Sequence, residues 1–467
     1  TENVAVGATA LDACTTGSYN HAMGKSAGGA ITTGVCNIAI GNTTLSTATT
    51  ADNNTAVGHN SLSVNTADNN TAVGFDVLKA NTTGTANVAV GYAALDANTT
   101  ANNNTAVGYN ALTATTVGHS NTTVAVGKGA FAANTTGASN VSVGFESLKA
   151  NTTGASNIGI GTGALEANTT ASYNIGIGHD ALLVNTGIAN VAIGYQALDA
   201  NTTANRNVAI GDQALSLNTT GDGAVAIGAY CLDAQTTAAN NTAIGHSAMT
   251  AATTGNLNVA VGTNAANSIT TGVQNVMLGQ GAGTTLTSGH YNTVVGNACN
   301  VSAANSSRQL VFGNSLTGTT DNAVHIGGSG GHVRNDFLDD ATWDQVSDVR
   351  KKTNIEDSSM GLDFINKLRT VIFNWKSPSE FPEEWQEYNA NQTEPLTENK
   401  KMGLIAQEVK AVIDELGIEH YDSTWGEKPD GQQEIGPSAY VFPLIKAVQE
   451  LSAEVEKLKE QLKYGRI

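Results

Sequence analysis

The sequence predicts a mainly β chain: a trimeric parallel β-roll or β-solenoid of about twenty 17-residue rungs, then a small α+β domain ending in a trimeric coiled-coil helix. Three observations predict it: a glycine that returns on a fixed period, an abrupt change of composition near residue 340, and a heptad pattern near the C-terminal end. The boundaries that follow are 1–330 for the repeat shaft, 331–346 for a transition and tip, and 347–467 for the end domain.

The period carries the rod. A Gly preceded by a small apolar pair occurs at twenty positions from Gly7 to Gly327, and fifteen of the nineteen intervals are 17 residues. An Asn stands four places before the Gly in sixteen units, as at Asn87 and Asn104, and a Leu stands four places after it in twelve, as at Leu95 and Leu112. Alternation puts Val88 and Val90 on one face and Ala89 on the other, a short strand. Gly supplies a bend or a close backbone approach, the Ala-Leu pair a second inward contact, and Asn-Thr-Thr the turn. One unit buries too little to stand alone, so units stack, with inward ladders of Asn, Val and Leu. At about 4.8 Å per stacked strand, the rod is on the order of 95 Å long. Its core is thin, and trimerisation would bury the missing face.

Composition sets off the second part. Residues 1–340 carry 7 Lys or Arg and 17 Asp or Glu; residues 341–467 carry 15 and 23, with all six Pro and all four Trp. The net charge of −18 argues against nucleic acid and anionic lipid as partners. No stretch approaches the roughly 20 apolar residues of a membrane span. With neither a signal peptide nor an initiator Met at Thr1, a fragment or processed product is expected. Cys14, Cys36, Cys231 and Cys299 are too scattered for a disulfide framework or metal site and are expected to be buried free thiols. No metal or cofactor is expected.

Three sharper readings of the repeat yield to plainer ones. The Asn-Thr-Thr runs at Asn81, Asn98, Asn134, Asn151, Asn168, Asn201 and Asn218 match the glycosylation pattern, but a repeat accounts for them all as turn chemistry. Adjacent Thr residues point to opposite sides and do not build an ice-binding face. Asp12, Asp96, Asp199 and Asp233 lack the calcium-binding Gly-Gly-x-Gly-x-Asp context and read as solvated charge. Carboxylates are sparse, and no glycosidase pair is visible.

The heptad pattern lies at Leu444, Val448, Leu451, Val455, Leu458 and Leu462, spaced 4, 3, 4, 3 and 4. Charged residues from Glu450 to Glu460 fill outer positions. The alternative is an amphipathic helix packed on its own domain.

The repeat resembles the Ala-Val-Gly head repeats of trimeric autotransporter adhesins and similar repeats in phage fibres, which implies a parallel, trimeric β-roll. Four segments of the end domain are Trp343-Asp-Gln-Val-Ser-Asp-Val-Arg-Lys-Lys-Thr-Asn-Ile355, Leu368-Arg-Thr-Val-Ile-Phe-Asn-Trp-Lys376, Gly403-Leu-Ile-Ala-Gln-Glu-Val409 and Tyr440-Val-Phe-Pro-Leu-Ile-Lys-Ala-Val-Gln-Glu-Leu451. In that order they resemble the C-terminal intramolecular chaperone, peptidase family S74, of phage tailspikes, neck appendages and L-shaped tail fibres. Lys351 stands where that family usually has an apolar residue. The resemblance implies a single-turnover self-cleaving endopeptidase that cuts between Ser347 and Asp348 with a Ser347–Lys352 dyad. The chemistry is sensible: a Ser hydroxyl needs a base, and a Lys is a base only when neutral, which burial or flanking cations such as Arg350 and Lys351 favour.

These readings give a phage tail-fibre or tailspike shaft for host attachment, a virion component assembled in the host cytoplasm. Its expected partners are two further copies of itself, other tail proteins reached through an absent N-terminal region, and a host surface glycan or protein. The receptor residues expected at the tip are His290, Tyr291, Arg308, His325 and Arg334, where the repeat becomes irregular. A bacterial trimeric adhesin is the alternative; a membrane-tethered transcription factor of the myelin regulatory factor type, which shares the autoproteolytic domain, would need a DNA-binding domain and a membrane span.

Overall fold

The computed structural model describes the chain except for residues 1, 117–121, 337–343, 346–348, 350–351, 384, 386–387, 396–399, 419–423, 429 and 466–467. The chain divides into two compact units, Thr1–Val346 and Ser347–Ile467.

The first unit is a β-solenoid. Eighteen three-residue strands, from β1 (Val4–Val6) to β18 (Thr293–Val295), are followed by β19 (Leu310–Asn314) and β20 (Ala323–Gly328). Each pairs in parallel with the next at an offset of one repeat: Val88 faces Thr105, Ala89 faces Ala106 and Val90 faces Val107. Steps of 16, 19 and 14 residues keep this register (Thr55 with Thr71, Thr105 with Val124, Gly313 with Gly327), so length variation is absorbed outside the strands. The stacking ends in a hairpin, in which β21 (Gly331–Asp336) runs antiparallel to β20. The short β22 (Asp344–Gln345) pairs antiparallel with β21.

The repeat glycine sets how closely rungs approach. Gly91 has φ +133°, and a Cβ there would lie 2.4 Å from the carbonyl oxygen of Gly108 in the next rung. The same collision recurs at each step of the column, so any side chain would push rungs apart. Each rung also holds non-glycine residues at positive φ, such as Ala86, Ala93 and Leu95 in the rung of Gly91, at 56°, 52° and 52°. Left-handed backbone costs such residues roughly 1 kcal/mol each. Hydrogen bonds to both neighbours offset it: Ala93 N–H donates to Phe75 O at 3.0 Å and Leu95 N–H to Ala111 O at 3.1 Å. A lone rung has neither bond, so stacking and turn geometry form together.

The interior is built from Ala, Leu and Asn. Ala89 and Leu95 are fully buried, as are their counterparts along the rod, and Phe131 fills one Leu position. The expectation of an inward Val ladder is overturned: the middle residue of each strand points in, and the flanking Val, Ile or Thr points out. The tight glycine approach leaves a narrow lumen that suits Ala better than Val. Two amide ladders run beside it. Asn87 N–H donates to Asn70 Oδ1 at 3.0 Å, and Asn98 Nδ2 donates to Asn81 Oδ1 at 2.7 Å; both Asn87 and Asn98 also reach the Ala101 carbonyl. The Asn-Thr-Thr asparagines are thus buried structural groups, closed to a glycan on the folded rod. Asp12 is exposed, but Asp96, Asp199 and Asp233 are only half-exposed and burial raises their carboxyl pKa, which corrects the solvated reading. Cys231 and Cys299 are buried free thiols, with Cys231 pushed up to about 12 by burial, whereas Cys36 is exposed.

The second unit is small and α+β. Helices α1 (Leu362–Lys367) and α2 (Ala406–Glu415) enclose Met360, Phe364, Val409, Ile413 and Tyr440. Two short antiparallel pairs, β23 (Val371–Phe373) with β24 (Lys401–Gly403) and β25 (Gly426–Glu427) with β26 (Gln433–Glu434), complete it. The Tyr440 hydroxyl donates to Thr424 O at 3.0 Å, and burial pushes its pKa up to about 12. Tyr440 leads directly into the 24-residue helix α3 (Val441–Tyr464).

Gly91→Ala should lower the unfolding free energy by about 3 kcal/mol or more, because the added methyl meets backbone at a positive φ. Ala93→Gly, at a left-handed position, should stay within about 1 kcal/mol of the parent. Denaturant titration of both variants checks this, and equal losses would refute the spacing role of the glycine column.

Candidate autoprocessing segment and rod end

Ser347 and Asp348, with Arg350 and Lys351, lie outside the described residues. Lys352 is exposed, and its backbone N–H donates to Val349 O at 3.0 Å. Residues 352–359 are all exposed, and the segment rejoins the domain core at the buried Met360. Met360 N–H donates to the Ser358 hydroxyl at 3.2 Å, which pins the return. The proposed base therefore sits on a surface strap tied to a packed core at one end.

Helix α3 buries only Pro443 and Ala447 against its own domain. Leu444, Val448, Leu451, Val455, Leu458 and Leu462 are all exposed, from 39% to 72%, so the described residues of its own unit leave the seam uncovered. Val441, also half-exposed, extends it by one position in the same 3–4 spacing, which the sequence reading missed. The α1 N-terminus is tied to this helix: Leu362 N–H donates to Glu450 Oε2 at 2.7 Å. Leu444 also lines a groove of about 1160 Å³ with Leu368, Phe373, Trp375, Trp385 and Met402.

At the rod end the expected receptor residues separate. Tyr291 is exposed, and the Arg308 guanidinium lies 5.5 Å from its ring centroid. His290 is partly buried, its Nδ1 accepting from Val273 N–H at 3.1 Å. Arg334 lies on β21 opposite His325. His325 itself is fully buried, which removes it from any receptor surface. It occupies the inward strand position, paired with Val311, where earlier rungs place Ala. Its Nε2 accepts from Thr319 N–H at 3.4 Å, and the His332 ring lies 5.5 Å away. Among the described residues, no group of three His, Cys, Asp or Glu could hold a metal ion, and no helix is long and apolar enough to cross a membrane.

Residues 347–418 match the family model of peptidase S74, described as chaperone of endosialidase, and the match begins at the residue assigned as nucleophile. No curated protein matches the chain. A β-solenoid followed by this segment fits a tail fibre or tailspike with a C-terminal chaperone domain, a family that points to phage tail proteins and to self-cleaving processing.

Burial, with repulsion from His332 and Arg334 added, holds the His325 pKa below its ordinary value. The unfolded imidazole titrates near pH 6.5, so the last rung is fully stable above that pH and loses stability as pH falls through the folded value. Amide exchange across β20 and β21 should accelerate on acidification from pH 7 to pH 5, after correction for intrinsic rates. His325→Val should abolish the extra acceleration; its persistence would assign the acid sensitivity to another group.

Proposed function

We propose that this chain is a phage tail-fibre or tailspike shaft for host attachment, whose C-terminal unit trimerises it, guides its folding and then cuts itself off between Ser347 and Asp348. The observation that carries the reading is the solenoid followed at Ser347 by the peptidase S74 match.

The rod's regularity creates the need. Nearly every strand pairs with its neighbour in the same way, so a slip of one whole rung preserves most contacts. The outward Val and Ile rows, such as Val88 with Val90 and Ile38 with Ile40, form a largely apolar face, interrupted by Thr in rungs such as those of Thr55 and Thr105, that suits two further copies. Chains joined through these rows need a common starting register. The exposed seam of α3 supplies it by aligning three chains at one end. Release of the aligning unit then traps the rod kinetically, because an unfolded chain no longer has a nucleus.

In the cut, Lys352 removes the Ser347 proton, and the oxygen attacks the carbonyl carbon of the Ser347–Asp348 bond. The C–N bond breaks, Lys352 returns the proton to the departing Asp348 amine, and water hydrolyses the ester. Attack by Ser347 on its own carbonyl would close a strained β-lactone, so the hydroxyl serves the bond of a neighbouring copy. Assembly would also desolvate the otherwise exposed Lys352, as a neutral base requires. Cutting is thereby tied to correct trimerisation.

Intact-mass measurement should find a released piece of 120 residues, 348–467, and Ser347→Ala or Lys352→Ala alone should leave full-length chain. In trimers mixed with wild-type chains, Ser347→Ala chains should be cut. Release from Ser347→Ala alone would refute the dyad, and a spared variant in mixed trimers would refute cutting between copies.

Light scattering should give three times the chain mass before and after release. Leu451→Asp with Leu458→Asp should block assembly when present during folding. A monomeric mature rod would overturn the reading. Exchange of residues 300–346 between related fibres should carry host-cell binding with it if Arg308 and Arg334 mark the receptor tip; binding that stays with the shaft would make this end only a cap.

A further inference from the structure

The residue after each repeat glycine forms a column on the turn that leaves the strand. In four consecutive rungs it is aromatic: His59, Phe75, Tyr92 and Tyr109. Their rings are stacked at centroid distances of 5.1, 5.5 and 5.1 Å, with interplanar angles of 10°, 3° and 11°. Phe75, Tyr92 and Tyr109 nevertheless remain 45% to 50% exposed. Lys128, one rung beyond Tyr109, places its Nζ 5.5 Å from the centroid of Phe145 in the rung after, which extends the column.

A short polar row lies one residue along, beside the first two rings and in the rung before them. Thr43 Oγ1 donates to Asn60 Oδ1 at 3.0 Å, Asn60 Nδ2 donates to Asp76 Oδ1 at 3.0 Å, and Lys79 Nζ donates to Asp76 Oδ2 at 3.0 Å. Thr43, Asn60 and Asp76 are partly buried and Lys79 is exposed; they hold one another in place, with hydrogen-bonding capacity left over on the amide, carboxylate and ammonium. The surface is thus a strip of rings repeated at the rung spacing, flanked at its first rungs by oriented polar groups.

We propose that this strip, spanning the rungs of Gly58 to Gly144, binds a neutral polysaccharide laid along the shaft. A pyranose presents C–H groups on one face and hydroxyls around its rim, which match a ring stack with the Asn60 carboxamide and the Asp76 carboxylate beside its first two rings. The strip is too narrow, and too closely bordered by polar groups, for the buried apolar centre of a protein interface. The 1–340 segment carries a net charge of −10, which repels a polyanion at long range and leaves a neutral chain unopposed. A shallow site that recurs along an axis holds each sugar weakly and gains by adding subsites, which a polymer exploits and a single sugar does not. The proposal is independent of self-cleavage and of receptor binding at the rod end.

The full chain is tested by affinity electrophoresis in gels containing galactomannan, mixed-linkage β-glucan or dextran, with alginate as the anionic polymer. Retardation by at least one neutral polymer is expected, with none by alginate. Phe75→Ala combined with Tyr92→Ala and Tyr109→Ala should weaken it about tenfold or more, while molar mass by light scattering and the melting temperature hold. Tyr109→Ala alone, at the end of the stack, is the milder variant and should weaken it in the same direction. Tyr92→Phe with Tyr109→Phe keeps the rings and should retain most of the binding. A fibre with residues 300–346 exchanged should be retarded as before. The proposal is overturned if no neutral polymer retards the chain, if alginate alone does, if the alanine variants bind as the parent does, or if binding falls only together with the melting temperature.

Discussion

The rod rests on one contact, the approach of the carbonyl at each repeat glycine to the α-carbon of the glycine before it. That approach leaves no room for a β-carbon, and it fixes the separation of successive rungs. Other features follow from the separation. The lumen is narrow enough for Ala and Leu to fill it, and the asparagines fall within reach of their counterparts one rung away. The left-handed turn residues find partners above and below. A polar group in such a core is tolerable because its partner is another copy of itself, supplied by the same repeat.

Repetition on this scale solves packing and leaves alignment undetermined. The interactions that hold two rungs together are the same wherever along the rod they form, so they stabilise the fold without choosing its register. The C-terminal unit has opposite properties. Its core is small and aperiodic, around Phe364, Ile413 and Tyr440, and its longest helix displays an uncovered apolar seam. One unit is periodic throughout and the other carries no repeat.

Much of this was legible in the sequence. The period, the glycine, the inward Leu and the turn asparagines all follow from residue type at a fixed spacing, and the structure contains them. The direction in which the strands face was not. Alternation in Val88-Ala89-Val90 defines two sides without saying which is inside, and hydrophobicity favours Val there; the close glycine contact decides for Ala. The half-buried Asp199 and Asp233, the buried His325 and the left-handed Leu residues depend on neighbours 14 to 17 residues away, which local pattern does not report. At the C-terminal segment, the order of four motifs pointed to the stretch that the family model matches from residue 347. The exposure of Lys352 and the extra seam position at Val441 emerge only from the folded chain.

The hairpin that closes the rod has a consequence for how rods meet one another. A stack of parallel rungs ends in a row of unpaired amides and carbonyls, the kind of template on which fibrils grow. Here β21 turns back on β20 and occupies that row in the opposite direction. A strand arriving from another rod in the parallel sense therefore finds no matching ladder to extend. The chain thus blunts its own polymerisable edge with residues of its first unit, and the stack stops at a set number of rungs instead of growing.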